Sequence, residues 1–343
     1  MNTTFLKACR GEEVPYTPVW IMRQAGRYLP EYHTVRSKGS FLDLCKTPDN
    51  AAEVTLQPVD ILGVDAAILF SDILVPLEPM GMKLDFIESR GPVLSEPIRS
   101  QADVDRLRVP DPEEELPYVM ETIRILRREL AQKVPLIGFS GAPFTLATYM
   151  IEGGSSRNFW NTKKMMYQAP ELYDALLTKI TDCTIEYLKA QAAAGAQALQ
   201  VFDSWAGTLA PCDFEEFAIP YVRRIIAELR KVTDVPLIYF ANNGASLLEI
   251  SKTSGADVLG LDWRINIDDA AKRVGPDVSL QGNLDPIALL LPEAKLAKRV
   301  ESILSQAKSA RGHVFNLGHG ILPETPPDKA KLLVELVHRL STR

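Results

Sequence analysis

Eight short apolar runs, each rich in β-branched or aromatic residues, punctuate the chain: PVWIM (18–22), AAILF (66–70), PLIGF (135–139), ALQVF (198–202), PLIYF (236–240), DVLGL (257–261), VSLQG (278–282) and HVFNL (313–317). None shows the clear in–out alternation of a half-solvated strand. Each therefore reads as a parallel strand covered on both faces, and parallel strands need a crossover segment between them. Most of the intervening segments have helical periodicity. Between the third and fourth runs, Leu172, Ala175, Leu176, Ile180, Cys183, Tyr187, Leu188 and Gln191 follow the i, i+3, i+4, i+7 spacing of an amphipathic helix, and Gly195 supplies its C-terminal cap. Eight strands alternating with helices predict an α/β fold, a single (β/α)8 TIM barrel, with a doubly wound sheet as the alternative. The longest insertion falls after strand 2, where MKLDFIESRGPVLSEPI (82–98) predicts a β-hairpin turning at Arg90-Gly91-Pro92. No internal repeat, linker or low-complexity segment interrupts the pattern, so one domain spanning 1–343 is expected.

Charge and cysteine usage narrow the function. A formal net charge of -6 lacks the clustered basic surface that non-specific nucleic-acid binding requires, so any anion site must be local. No apolar run approaches the ~18 residues of a membrane span, and Glu12 and Glu13 stand where a signal peptide needs an apolar stretch. A cytoplasmic protein is the expected reading. Cys9, Cys45, Cys183 and Cys212 are widely spread without a C-x-x-C pair, so they read as reduced structural thiols and not as a metal or disulfide framework.

In a barrel the chemistry sits where the strands end, and the residues just after each run form the candidate set. They are Arg23 and Arg27, Ser71-Asp72, Ser140-Gly141, Asp203-Ser204, Asn242-Asn243, Asp262-Trp263, Asn283-Asp285 and Gly318-His319-Gly320. Two arginines at a barrel mouth would hold an anionic substrate; the alternative is a pair of structural salt bridges. Asp72 could accept hydrogen bonds from a substrate or stabilise a cation formed during reaction, or could cap the helical turn in ILVPL. Tyr149 is either a phenolic donor at a cavity wall or an ordinary helix residue, and Ser204 either lines the site or caps a turn. His319, between two glycines, is the acid or base candidate by position. The chain has no H-E-x-x-H, P-loop or G-x-G-x-x-G. GFSGA (138–142) nearly reproduces a nucleophile elbow around Ser140, but Ala142 replaces the final glycine and Pro143 follows.

PVWIMRQAGRYLPEY (18–32) and GFSGAPFTLATYMIEGG (138–154) resemble the two signature segments of the uroporphyrinogen decarboxylase family. The likeness continues through VFDSWAG (201–207), YFANNG (239–244), LQGNLDP (280–286) and NLGHGILPETPP (316–327), with no departure at the positions these motifs place. The resemblance covers essentially the whole chain. It implies a (β/α)8 barrel that forms a homodimer and removes carbon dioxide from the four acetate side chains of uroporphyrinogen III, giving coproporphyrinogen III with no metal or organic cofactor. Carried over by motif, Arg23 and Arg27 would grip substrate carboxylates, with Arg36 as a further cation. Asp72 would sit beneath the pyrrole N–H groups, and Tyr149, Ser204 and His319 would line the same cleft. The catalytic set is then Arg23, Asp72, Tyr149 and His319, and the substrate-binding set adds Arg27 and Ser204. Two other readings stand beside this one. A non-catalytic tetrapyrrole carrier could use the same arginines. A related cobalamin-linked methyltransferase would bind zinc through a His-x-Cys pair, whereas Gly320 and Ile321 follow His319 here.

Overall fold

The computed structural model describes residues 2–87 and 91–342. In chain order its strands are β1 (Ala67–Ile68), β2 (Leu84–Ile87), β3 (Gly91–Leu94), β4 (Leu136–Gly141), β5 (Ala198–Asp203), β6 (Leu237–Ala241), β7 (Val258–Gly260), β8 (Ser279–Gln281) and β9 (His313–Val314). Seven of them form one parallel sheet in the order β1-β4-β5-β6-β7-β8-β9, with helices as the crossovers. The predicted run 18–22 makes only an isolated bridge, Val19 to Phe315, yet it acts as the eighth stave. Phe315 N–H donates to the Pro18 carbonyl (2.8 Å) on one side, and Asp65 N–H donates to the Val19 carbonyl (2.8 Å) on the other. The segment thus joins β9 to the chain entering β1, and the barrel closes.

The missing alternation in the sequence has its cause here, because every residue of β4, β5 and β6 is buried. A polar chain crosses the barrel interior: Trp20 Nε1 donates to Gln281 Oε1 (2.9 Å), and Gln281 Nε2 to Gln200 Oε1 (3.1 Å). Each buried amide is thereby partnered, as a dry interior demands. Toward the strand C-termini lies an aromatic layer in which Phe202 contacts Phe139 and Phe240 at centroid distances of 5.5 and 6.1 Å. Gly260 makes room for it, since a Cβ there would stand 2.8 Å from the Phe240 ring.

The predicted helix over 172–191 runs from Pro170 to Ala194 and ends at Gly195, which takes φ +117° as the cap. Its Gln191 ties it to β4, accepting from Phe139 N–H (2.8 Å) and donating to the Phe139 carbonyl (2.9 Å). The hairpin after the second run is present as β2 and β3, paired from Leu84↔Leu94 to Ile87↔Gly91. Its predicted turn moves. Gly91 and Pro92 belong to β3, opposite Ile87 and Phe86, while Arg90 lies outside the described residues. The hairpin docks beside the mouth through Leu94 N–H to the Gly153 carbonyl (3.0 Å) and Phe86 against Phe41 (4.8 Å). All four cysteines are free, and Cys212 alone among them is exposed. No helix among the described residues is long and apolar enough to cross a membrane.

Candidate active site

The loop after the first stave is built to present arginines. Gln24 is fully buried: its Oε1 accepts from Ile21 N–H (3.0 Å) and its Nε2 donates to the Ala66 carbonyl (3.1 Å). Tyr28 OH donates to the Gln24 carbonyl (2.8 Å), and Met22 N–H donates to Asn316 Oδ1 (2.9 Å). So fixed, Arg23 is held in the left-handed region at φ +63°, a conformation that costs a non-glycine residue about 1 kcal/mol or more and persists only where the surroundings enforce it. Gly26 permits the turn, because a Cβ there would meet the Arg23 carbonyl at 2.9 Å. Arg23 and Arg27 are both exposed, and neither pairs with a carboxylate among the described residues. The salt-bridge reading fails. Arg36, nearby, is committed to the Gly39 carbonyl, and its charge and that of Arg27 act on Tyr32.

Asp72 follows β1, half-buried in the cleft. Its Oδ1 accepts from Leu74 N–H (2.9 Å), so the capping reading is satisfied by one oxygen. Its Oδ2 takes no hydrogen bond among the described residues. Burial raises its pKa, opposed by the Leu74 N–H and then by the Arg23 charge. Tyr149 sits on the helix Pro143–Glu152 that follows β4, half-buried, its ring 6.2 Å from that of Trp205. Burial raises the phenol pKa. The Trp205 indole pulls the other way, Asp72 adds to the rise and Arg23 opposes it. The Ser204 carbonyl accepts from Asn242 Nδ2 (3.2 Å), but its hydroxyl caps nothing; Trp205 is the N-cap of the next turn.

Behind this wall, Asp203 is buried and points away from the barrel axis, accepting from Thr145 Oγ1 (2.6 Å) and Tyr239 OH (2.8 Å). Burial pushes its pKa up to about 6 against both hydroxyl donors. Asp203 is therefore a brace between β5, β6 and the Tyr149 helix. Ser140 is buried too, and its hydroxyl has no partner, so it cannot act as an exposed nucleophile. The elbow reading of GFSGA fails because the serine faces the packed exterior of the sheet.

His319 closes the circle from the far side, its ring 6.4 Å from Phe240 above the aromatic layer. Gly320 lets Arg23 pass: a Cβ there would stand 2.4 Å from Arg23 Cδ. Burial pushes the imidazole pKa down to about 4, aided by Arg23 and Arg264 and opposed by Asp262. Arg264 has no counterpart in the sequence-derived set. Its guanidinium lies 4.1 Å over the Trp263 ring and 3.3 Å from Asp262 Oδ1. Charge and position thus bring Arg23, Asp72, Tyr149 and His319 into one cleft, with an apolar floor and a cationic rim. Among the described residues no cluster of three or more His, Cys, Asp or Glu side chains could hold a metal ion.

A family model described as uroporphyrinogen decarboxylase matches residues 1–340. The chain belongs to the uroporphyrinogen decarboxylase family. Curated relatives carrying that name include one from Desulfotalea psychrophila, 64% identical over 343 residues with 100% of both chains covered. Another, from Carboxydothermus hydrogenoformans, is 58% identical over 342 residues, covering 100% of this chain and 97% of the relative. Among solved structures, a methyltransferase from Methanosarcina mazei superposes with a TM-score of 0.83 at 20% identity, covering 98% of each chain. A B12-independent methionine synthase from Shewanella reaches 0.59 at 12% identity, covering 88% of this chain and 91% of that one. Those two likenesses establish the shared barrel. Family membership rests on the decarboxylase relatives.

Proposed function

We propose that this chain is a uroporphyrinogen decarboxylase, a carboxy-lyase of tetrapyrrole (haem or chlorophyll) biosynthesis that removes four acetate carboxyl groups from uroporphyrinogen III. The observation that carries the reading is the convergence of unpaired Arg23 with Asp72, Tyr149 and His319 over a floor of Phe139, Phe202 and Phe240, with exposed, unpaired Arg27 on the same loop as Arg23. An apolar floor suits the face of a macrocycle, and a cationic rim suits its eight carboxylates. Arg27 and Ser204 bind the periphery. Each charge-assisted contact contributes about 1.5–3 kcal/mol net.

A pyrrole acetate has no electron sink until the adjacent ring carbon is protonated. The resulting iminium-like cation then accepts the electron pair of the breaking carbon–carbon bond as carbon dioxide leaves. The exocyclic methylene takes up a second proton to become the methyl group, and the ring carbon returns its own. Asp72, with Oδ2 unoccupied, is the carboxylate that stabilises this cation through the pyrrole N–H groups. His319 is neutral near pH 7 and the Tyr149 phenol is a weakened acid, which favours Arg23 itself or a water that it orders as the source of the first proton. The reading calls for no metal or organic cofactor, nucleic acid or membrane. It extends to a cytoplasmic homodimer in which residues 1–343 form one catalytic domain.

The test is an anaerobic incubation of the purified protein with chemically reduced uroporphyrinogen III, with and without a chelator, followed by oxidation and chromatography. Chelator-insensitive coproporphyrin, with seven-, six- and five-carboxylate intermediates, is expected. Tight binding without carbon dioxide release would identify a carrier instead. Light scattering at micromolar concentration checks the dimer.

A further inference from the structure

Arg264 is a mouth cation that the family motifs leave unassigned, and its guanidinium is held by two neighbours. Its guanidinium stacks 4.1 Å over Trp263. Trp263 is itself wedged against the loop carrying His319, since a Cβ on Gly318 would stand 2.5 Å from Trp263 N and 3.0 Å from its ring. Beneath lies Asp262, 2% exposed, whose Oδ1 accepts from Arg264 N–H (2.8 Å) and whose Oδ2 accepts from Gly244 N–H (3.2 Å). The Arg264 Nη1 sits 3.3 Å from that same Oδ1, with the arginine side chain 44% exposed. One edge of the guanidinium is therefore anchored and the rest faces solvent. Asp262 fixes the arginine and offsets part of its charge, yet Arg264 acts on His319 more strongly than Asp262 does.

Placement gives this mounting a use. Arg264 follows β7, whereas Arg23 and Arg27 follow the first stave, and β8 and β9 lie between them around the barrel. A ring-shaped polyanion lying across the mouth carries its carboxylates on every side, and arginines on one side only would tether it without setting its tilt. We infer that Arg264 is a substrate-binding residue that takes a peripheral carboxylate of the macrocycle at a second point of the rim, with two staves between it and the Arg23–Arg27 loop. The preset stack reduces the side-chain freedom lost on binding, as a planar guanidinium fork allows. This deepens the decarboxylase reading and rests on it for the identity of the ligand.

The experiment compares wild type, Arg264→Gln and Arg264→Lys in two assays: anaerobic turnover of uroporphyrinogen III, and fluorescence-monitored binding of the stable octacarboxylate uroporphyrin. Arg264→Gln should raise KM about tenfold with kcat within twofold, flatten the dependence of KM on salt, and weaken uroporphyrin binding in parallel; Arg264→Lys should recover part of each. Unchanged KM, binding and salt dependence in Arg264→Gln would overturn the inference, as would a loss confined to kcat. A wild type that binds uroporphyrin but does not turn over would remove the decarboxylase reading alone, while weaker binding by Arg264→Gln would still uphold the arginine's role.

Discussion

Asp72 divides its two oxygens between structure and chemistry, which makes its contribution separable. Asparagine keeps the Oδ1 acceptor for Leu74 N–H but loses the charge, so Asp72→Asn is expected to lower kcat by about 10²–10³ with an unchanged melting temperature. Activity at the wild-type level would refute the cation-stabilising role. Arg27, exposed and without a carboxylate partner, costs nothing to the fold when removed. Arg27→Ala should raise KM about tenfold or more and leave kcat nearly unchanged, the mark of uniform binding lost. For His319, burial and two arginines hold the pKa near 4, so the ring stays neutral throughout the neutral range. The kcat/KM profile should therefore show no acid limb near pH ~6.5 from this residue. A limb there in wild type that disappears in His319→Gln would overturn that assignment.

At the scale of elements, the mouth loops are spaced by glycines that act through neighbouring side chains. Gly320 is the clearest, because the atom a new Cβ would strike belongs to Arg23, a side chain free to swing into solvent. Gly320→Ala should cost little stability. It should lower kcat/KM about tenfold or more, since small displacements of a positioned group are amplified in rate. Paired denaturation and kinetic measurements distinguish this from a folding defect. Gly207 is different in kind: a Cβ there would meet Asn242 and Asn243 backbone oxygens at 2.6 and 2.5 Å, locking the loops after β5 and β6. Strand positions were legible because burial on both faces leaves unbroken apolar runs. The turn of the β2–β3 hairpin was misplaced because Gly91-Pro92 is turn chemistry by composition, while the pairing register assigns both residues to β3.

Across the whole molecule, one buried carboxylate fastens both ends of the chain to the barrel seam. Asp65 accepts from Asn2, Tyr16 and Val19 N–H and bonds His338 at 2.7 Å. Two other buried groups, His313 and Asp203, should contribute to the pH dependence of global stability with opposite sign. The His313 pKa is held down to about 4 by burial, so between that value and its ordinary 6.5 the unfolded chain binds more protons and stability falls as pH falls. Its full contribution is about 3 kcal/mol. Asp203 is raised from 3.8 to about 6, so the native state binds the extra proton there and stability rises as pH falls. Urea midpoints between pH 4 and pH 7 should accordingly fall more steeply on acidification in Asp203→Asn and less steeply in His313→Gln.

The sequence by itself determined the strand runs and the hairpin insertion, because a burial pattern is a local property written along the chain, and its long motif strings carried the family. Only the tertiary structure decided that run 18–22 is a stave joined through an isolated bridge and a few hydrogen bonds. Gln24 as the clamp under Arg23, Asp203 as an outward brace and Arg264 as a mouth cation likewise emerged only there. Their roles depend on which loops the closing barrel brings together. Residues more than two hundred positions apart, such as Arg23 and His319, share one electrostatic environment because the first and last staves are neighbours, and no local pattern encodes that adjacency.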